Sequence, residues 1–461
     1  MEKCRKIKNK YRRVVMEEDL ELVRDEGLGS KSKLDRYFKI SERGSDVKTE
    51  LFAGLTTFMT MAYILAVIPG TLSKTGIPFS GAFAATALSS AIATSLAALF
   101  NFPFGLGPSL GMNAFFVFSV VLGQGHSWQY ALTAVAISGV CLLILTVTRV
   151  REKLFDVIPF NIKMAMIAGI GLFIALIGLV SGGIVVAGQG TVVTLGNLKD
   201  PRAVLTLVGV FLTGSLMYKN IKGSMFWGII GTAIIGFFMG VTKLPTSWQV
   251  IPDLKSTVFQ FVGMDEILTP NMALVVFTFL FVAIFDTVGT LIGLGGKANL
   301  LDENDNLPGV TKACLCDSIG TIMAGFLGTS LVGTFVESAS GIAEGGKTGL
   351  TALTTSILFV IALFLSPLFI MIPASATAPV LIIVGLLMVT AIKAINFDDI
   401  TEGIPAFLTI ILMPLTYSIA DGIVIGILSY VALKVLTGKF KDVTKVMAVL
   451  AILFVVKIMF I

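Results

Sequence analysis

The chain has 461 residues, of which 55% are hydrophobic and only 14% are charged, and its mean hydropathy is +0.92. Soluble domains carry roughly 25% charged residues, so this composition excludes a soluble globular protein and predicts an all-α polytopic membrane protein. The net charge of +5 is concentrated, because 14 of the 34 Lys and Arg residues lie in residues 1–48.

The basic N-terminal tail shows no short apolar core followed by a small-residue cleavage site. We therefore expect no cleaved signal peptide and expect the first transmembrane helix to direct insertion. The basic cluster at residues 3–13 could bind nucleic acid, but a solvated tail beside anionic lipid suits a membrane protein better. We predict a multi-pass plasma-membrane protein with a cytoplasmic N-terminus and no nucleic-acid partner.

Apolar runs of roughly 16–22 residues, the length that crosses a hydrocarbon core, recur along the rest of the chain. They lie at 51–69, 80–100, 104–122, 128–148, 163–181, 202–218, 223–241, 272–293, 313–327, 330–348, 350–371, 377–394, 402–419 and 422–437. These fourteen runs predict fourteen transmembrane segments. A further run at 443–461 is interrupted by Lys457, and whether it crosses the membrane is left open.

The basic residues of the loops predict one orientation under the positive-inside rule. If the tail is cytoplasmic, fourteen segments place on its side Arg149, Arg151, Lys153, Lys163, Lys219, Lys222, Lys434, Lys439 and Lys441. This agreement supports the number of segments.

The two halves of the chain resemble each other. Thr-Phe at 57–58 recurs at 278–279, and LGPSL at 106–110 recurs as LGTSL at 327–331, both 221 residues apart. Because each half holds seven segments, an odd number, the halves enter from opposite sides and form inverted repeats. The predicted parts are a cytoplasmic tail (1–48), the first repeat (49–245), an extracellular linker (246–271), the second repeat (272–437) and a basic linker with an extra apolar segment (438–461).

Two segments are predicted to be broken helices. Prolines and glycines interrupt residues 101–118, and residues 328–349 contain two glutamates, a lysine and several glycines. Irregular backbone at membrane depth is tolerated only where protein or a polar cavity satisfies it. We expect extended pieces at 103–109 and 329–335, each followed by a half-helix whose N-terminus faces a pocket at the midplane.

Four polar residues are candidates for that pocket. Asn113 and Thr334, which an offset of 221 makes equivalent, could hydrogen-bond in it. Glu337 and Asp286 are carboxylates at membrane depth and are functional candidates by default. Two like charges in a partly dry pocket disfavour simultaneous ionisation, so the pair could hold a coupling proton beside a neutral substrate. Na⁺ coupling is not excluded, and Asp286 could instead bond a neighbouring helix.

Other residues give weaker indications. Glu344 shares a helix face with Glu337 and could pair with Lys347 as a gate, although a structural helix-end ion pair is equally consistent. Phe115 and Phe116 could stack on a planar ligand, but ordinary packing is favoured in a chain with 34 phenylalanines.

Enzyme and metal chemistry find no support in the sequence. The four cysteines, Cys4, Cys141, Cys314 and Cys316, lack the further ligands that a zinc site needs. His126, the only histidine, falls in a predicted loop. No nucleophile elbow or phosphate loop is present, and the acidic loop at 295–309 lacks calcium-ligand spacing. We predict a protein that is not an enzyme and needs no cofactor or metal.

Three motifs resemble those of a known family: GLGPSLGMNAFF at 105–116, FDTVGTL at 285–291 and ESASGIAEGGKTGLTAL at 337–353. They are similar to the signatures of the AzgA-like branch of the nucleobase:cation symporter-2 family, bacterial permeases for hypoxanthine, guanine or adenine. The resemblance covers roughly residues 34–440. It implies a UraA-like fold, with a core domain that carries the substrate, a gate domain that contacts a partner protomer, and short strands in segments 3 and 10.

The resemblance also implies roles for particular residues. Glu337 is expected to bind the heterocycle's N–H edge, Asp286 to bind substrate or carry the proton, and Asn113 to shape purine selection. Ser338, which follows Glu337 where the uracil and xanthine branch has Asn, is a further candidate contact and argues against those substrates. The function implied is proton-coupled purine import with elevator-type movement, and the alternative is a sulfate- or bicarbonate-type anion transporter of the same fold.

Overall fold

The computed structural model describes residues 33–151, 158–188, 190–242, 253–297 and 309–460, and in segment 8 the side chain of Asp286 lies outside this description. Among the described residues, nine helices are long and apolar enough to cross a membrane, and four shorter apolar helices accompany them. With the strand and half-helix at 332–343 they make fourteen segments. The predicted number of segments is confirmed.

Segments 1 to 7 are Val47–Thr75, Phe79–Leu99, 106–123, Trp128–Val147, Phe160–Ser181, Pro201–Tyr218 and Ser224–Phe238. Segments 8 to 14 are Pro270–Lys297, Val310–Leu327, 332–343, Gly349–Ile370, Ala374–Ala394, Ile400–Thr416 and Ile419–Leu436. Outside them lie helices Lys33–Phe38, Met264–Ile267 and Lys445–Phe460. The strands are β1 (Leu106–Pro108), β2 (Val185–Ala187), β3 (Val193–Leu195) and β4 (Val332–Thr334), of which β2 and β3 form a surface hairpin.

Segments 1, 3 and 10 are internally divided near the middle of the molecule, and segment 11 is divided into helices Gly349–Ala362 and Ser366–Ile370. Segment 1 consists of helices Val47–Met61 and Ile64–Leu72. In segment 3, β1 leads into helix Leu110–Ala114, which continues as a π-helix over Phe115–Gly123. Segment 10 consists of β4 and the helix Ser338–Ala343. The two predicted broken helices with short strands are therefore confirmed, whereas the interruption of segment 1 was not anticipated.

Helix ends follow local capping chemistry. Asp46, Asp200 and Asp399 each accept a hydrogen bond from a backbone N–H of the first turn of segments 1, 6 and 13. Gly309 and Gly328 bound segment 9 with φ angles of +78° and +105°, which favour glycine.

The segments pack in two bodies. Within each body, the principal contacts between a segment of the first half and its neighbours have counterparts between the equivalent segments of the other half. Segment 11 packs on segments 1 and 2, and segment 4 packs correspondingly on segments 8 and 9. Segment 5 packs on segments 12 and 13, while segment 12 packs on segments 5 and 6. This exchange is what inverted repeats require. Segments 1–4 and 8–11 form one body, called the core, and segments 5–7 and 12–14 form the other, called the gate.

Candidate substrate-binding site

Strands β1 and β4 cross inside the core, where segments 3 and 10 are broken. They pair antiparallel, with Leu106 opposite Thr334 and Pro108 opposite Val332. All six strand residues are buried. The pairing satisfies backbone groups that a broken helix would leave without partners at membrane depth.

Two threonines hold these strands in the same way. Thr94 of segment 2 accepts from the N–H of Leu106 at 2.9 Å and donates to the carbonyl of the same residue at 3.0 Å. Thr321 of segment 9 accepts from the N–H of Val332 at 3.2 Å and donates to its carbonyl at 3.3 Å. The same pair of hydrogen bonds therefore occurs in both halves of the inverted repeat.

This symmetry corrects the predicted register of the repeat. Thr94 and Thr321 lie 227 positions apart, and paired strand centres Gly107 and Gly333 lie 226 apart. The predicted offset of 221 matched LGPSL, which contains β1, to a pentapeptide that ends before β4. The equivalence of Asn113 and Thr334 is thus wrong, since one lies in a helix and the other in a strand.

Glu337 lies directly before the half-helix of segment 10 and is half-buried. Its carboxylate oxygen Oε1 accepts a hydrogen bond of 2.7 Å from the hydroxyl of Tyr63. Its backbone carbonyl lies 3.3 Å from the hydroxyl of Thr60. Both residues belong to segment 1, so the interruption of that segment faces the start of the half-helix.

Several buried polar atoms around the crossing have no hydrogen-bond partner among the described residues. The side-chain amide of Asn113 donates to the hydroxyl of Thr71, but its oxygen Oδ1 is unpaired. The hydroxyls of Thr57, Ser330 and Thr334 are unpaired as well. Since a buried polar group without a partner is costly, these atoms indicate a place where a polar ligand can bind.

The remaining candidates of segments 3 and 10 are enclosed by protein. Ser338 is fully buried, and its hydroxyl accepts from the N–H of Gly105 at 2.9 Å, which links the two broken segments. Phe115 packs edge-on against Phe279 of segment 8 with ring centroids 4.9 Å apart, and Phe116 is fully buried. Core packing is the role that these phenylalanines have in the structure.

Asp286 belongs to segment 8, which packs on β4 and on both half-helices next to the crossing. The helix Pro270–Lys297 packs on β4, on Ser338–Ala343 and on Leu110–Ala114. The element that carries Asp286 therefore lies beside the element that carries Glu337. Within the described residues, no group of three or more His, Cys, Asp or Glu side chains could hold a metal ion.

The predicted pairing of Glu344 with Lys347 is wrong. Glu344 forms an ion pair of 2.5 Å with Lys222, which lies between segments 6 and 7 of the gate. The ammonium of Lys347 instead donates to the carbonyl of Gly44 at 3.2 Å. The helix ends at Ala343 and the chain reverses at Gly345, where φ is +98°, so the two side chains diverge.

A buried ion pair was missed because its arginine was assigned to a solvated loop. Arg151, which follows segment 4, forms two hydrogen bonds of 2.7 Å to the carboxylate of Asp317 in segment 9. Both side chains are 1% exposed. The guanidinium also donates to the carbonyls of Ala283 at 3.2 Å and Cys314 at 3.4 Å, so it joins segments 8 and 9.

Glu50, immediately before the first predicted apolar run, was also missed. Its fully buried carboxylate accepts from the N–H groups of Lys347 and Thr348 at 3.0 and 3.2 Å. It also accepts from the hydroxyl of Thr351 at 2.6 Å. A carboxylate at this place caps the start of segment 11.

Comparison with known proteins identifies the family. The model of the permease family Xan_ur_permease matches residues 48–425. The chain belongs to this permease family. The permease is 41% identical to guanine/hypoxanthine permease PbuO of Bacillus subtilis, with 91% of this chain and 99% of the relative covered. It is 39% identical to adenine permease AdeP of Escherichia coli, with coverage of 93% and 96%. The family resemblance is confirmed, and the permease is a transporter rather than an enzyme.

Solved structures confirm the fold. The transmembrane domain of the cyanobacterial bicarbonate transporter BicA superposes with a TM-score of 0.61 at 17% identity, covering 82% of the permease and 97% of that domain. Murine Slc26a9, an anion transporter in the inward-facing state, gives 0.60 at 11% identity, with coverage of 92% and 75%. At such identities the likeness concerns the fold alone.

Proposed function

We propose that this permease imports purine nucleobases across the plasma membrane, with hypoxanthine and guanine as its first substrates and adenine as a further candidate. The observation that carries the proposal is the set of unpaired polar atoms on the segments that form the strand crossing, together with the carboxylate of Glu337 at the start of the segment 10 half-helix. A purine is planar and offers both N–H donors and acceptors, so it can satisfy such a set. The relatives named as guanine/hypoxanthine and adenine permeases support the same substrate class.

Proton symport is the second part of the proposal. Glu337 and Asp286 lie on neighbouring elements, and one of them would carry the proton when the neutral purine is bound. The coupling ion is H⁺ in this proposal, with Na⁺ as the alternative. The N-terminal tail is proposed to lie in the cytoplasm.

Elevator-type movement is the third part. The core carries the crossing, and the gate borders it, since segment 5 packs on Leu110–Ala114. Movement of the core against the gate would expose the crossing to each side in turn. A homodimer joined through the gate would anchor this movement, and the molecular mass of the purified permease in detergent tests it.

Anion transport is the alternative, because the solved neighbours include a bicarbonate transporter and an anion transporter. An ionised carboxylate at the crossing would repel an anion. The anion hypothesis therefore predicts that neutralising Glu337 or Asp286 is tolerated, whereas purine import predicts that it is not.

Uptake of radiolabelled hypoxanthine by a bacterium that lacks its own purine permeases tests the proposal. We expect competition by unlabelled guanine, weak competition by uracil, and loss of accumulation after addition of a protonophore. Inhibition by sulfate alone, or no purine uptake by correctly inserted protein, would contradict the proposed substrate. Uptake that persists with protonophore but requires Na⁺ would contradict proton coupling only.

A further inference from the structure

Segment 1 is interrupted at the depth of the crossing. Its first helix ends at Met61 and its second begins at Ile64. Tyr63 lies in this interruption and is 1% exposed. A tyrosine buried so completely normally needs a partner for its hydroxyl, and here the partner is Glu337 of the opposite repeat.

The contact between Tyr63 and Glu337 joins a phenol to a carboxylate across two elements. The hydroxyl lies 2.7 Å from Oε1. Hydrogen bonds from O–H groups to an ionised oxygen are shorter and stronger than those between neutral groups. The bond also fixes the rotation of the carboxylate about its terminal torsion, which is otherwise broad.

A fixed carboxylate matters for a ligand with donors in one plane. The direction of the lone pairs that Glu337 presents depends on the plane of its carboxylate. Thr60, one turn before Tyr63, lies against the backbone carbonyl of Glu337 at 3.3 Å. Segment 1 therefore holds this residue at both its backbone and its side chain.

We propose that Tyr63 is a positioning residue for substrate binding, which orients the carboxylate of Glu337 toward the N–H groups of the purine. This inference rests on the proposed function. It assigns Tyr63 no contact with the substrate itself. A merely structural tyrosine would affect the amount of folded protein, whereas a positioning residue affects apparent affinity.

The test is the kinetics of hypoxanthine uptake by Tyr63→Phe, which keeps the ring and removes the hydroxyl. We expect the apparent KM to rise roughly three- to tenfold, because the purine must then itself immobilise the carboxylate of Glu337, and immobilising a side chain lowers affinity by about this factor. We expect Vmax per inserted molecule to stay within about twofold, the pattern of an interaction that acts on binding alone. Tyr130→Phe is the matched control, since Tyr130 is a buried tyrosine of segment 4 that stacks on His126.

If Tyr63→Phe inserts poorly, equilibrium binding of hypoxanthine to the folded fraction of the purified variant replaces uptake, and the Kd is expected to rise likewise. An unchanged KM in the inserted variant would overturn the inference. If wild type takes up purine and Tyr63→Phe matches it, only this inference fails; if wild type takes up no purine, the proposed function itself fails.

Discussion

An unpaired buried hydroxyl contributes little to folding, because it has no hydrogen bond to lose when it is removed. The hydroxyl of Thr334 is of this kind and lies at the crossing. We expect Thr334→Val to leave the apparent melting temperature nearly unchanged but to weaken hypoxanthine binding by about 1–2 kcal/mol, roughly tenfold in KM.

Thr213 provides a matched control for that substitution. It is a fully buried threonine of segment 6 whose hydroxyl also has no partner among the described residues. Thr213→Val makes the same chemical change away from the crossing and should affect neither melting temperature nor KM. Equal effects of the two substitutions on KM would show that Thr334 has no special place at the site.

The buried ion pair of Arg151 and Asp317, unlike the unpaired hydroxyls, should contribute to the stability of the fold. Asp317→Asn leaves a buried guanidinium without its counter-charge, which costs about 3–5 kcal/mol when one partner of a buried pair is removed. We expect a clearly lower apparent melting temperature in detergent. Lys39→Gln, which breaks the exposed pair of Lys39 with Glu42, should change it very little.

At the scale of residues, sequence reasoning found what unusual chemistry makes visible. Glu337 and Asn113 stand out because carboxylates and amides are rare in apolar segments. Tyr63 carries no such signal, since tyrosine is ordinary in a membrane helix and its importance comes from a partner 274 positions away. Arg151 was misplaced because an arginine next to loop residues looks solvated until its carboxylate partner is known.

At the scale of elements, the two threonine anchors hold the strand pair. Thr94→Val would leave the buried N–H and carbonyl of Leu106 without their partner, at a cost of about 1–3 kcal/mol. We expect Thr94→Val and Thr321→Val to lower both the melting temperature and the uptake rate. Thr94→Ser and Thr321→Ser keep the hydroxyl and should retain both. Full function in the valine variants would mean that the strands need no such anchors.

The breaks in segments 3 and 10 were predictable because clusters of proline and glycine disfavour a continuous helix. The register of the strands was not predictable. The matched pentapeptides consist of small and apolar residues, which recur by chance in an apolar chain. Thr94 and Thr321, which mark the true register, do not stand out from the other threonines of the sequence. At Gly107, an added Cβ would lie 2.8 Å from the hydroxyl of Ser90 and 2.9 Å from Ile64. Close approach explains this glycine, and only the fold reveals it.

At the scale of the whole molecule, the ion pair of Glu344 and Lys222 joins the core to the gate. Both residues lie on the side from which segment 1 enters. If the core moves against the gate, a covalent link at this place must stop transport. Cysteines at both positions, in a variant without native cysteines, can be joined by a short thiol-specific cross-linker that a reductant cleaves.

We expect cross-linking of Lys222→Cys with Glu344→Cys to abolish hypoxanthine uptake and reductant to restore it. The control joins Lys439 and Asp399, whose ion pair of 2.8 Å lies within the gate. Cross-linking of cysteines at these two positions should leave uptake unchanged. Uptake that survives the link between core and gate would exclude relative movement at that boundary.

Glu337, at the strand crossing, is the residue that we propose binds the purine. Equilibrium binding of hypoxanthine to the purified permease at one fixed pH tests this proposal most directly. Glu337→Gln should weaken binding by at least roughly tenfold, since a hydrogen bond to a charged group contributes about 1.5–3 kcal/mol. Glu344→Gln, at the other end of the half-helix, should bind as wild type does. Equal affinity of Glu337→Gln and wild type would contradict the account.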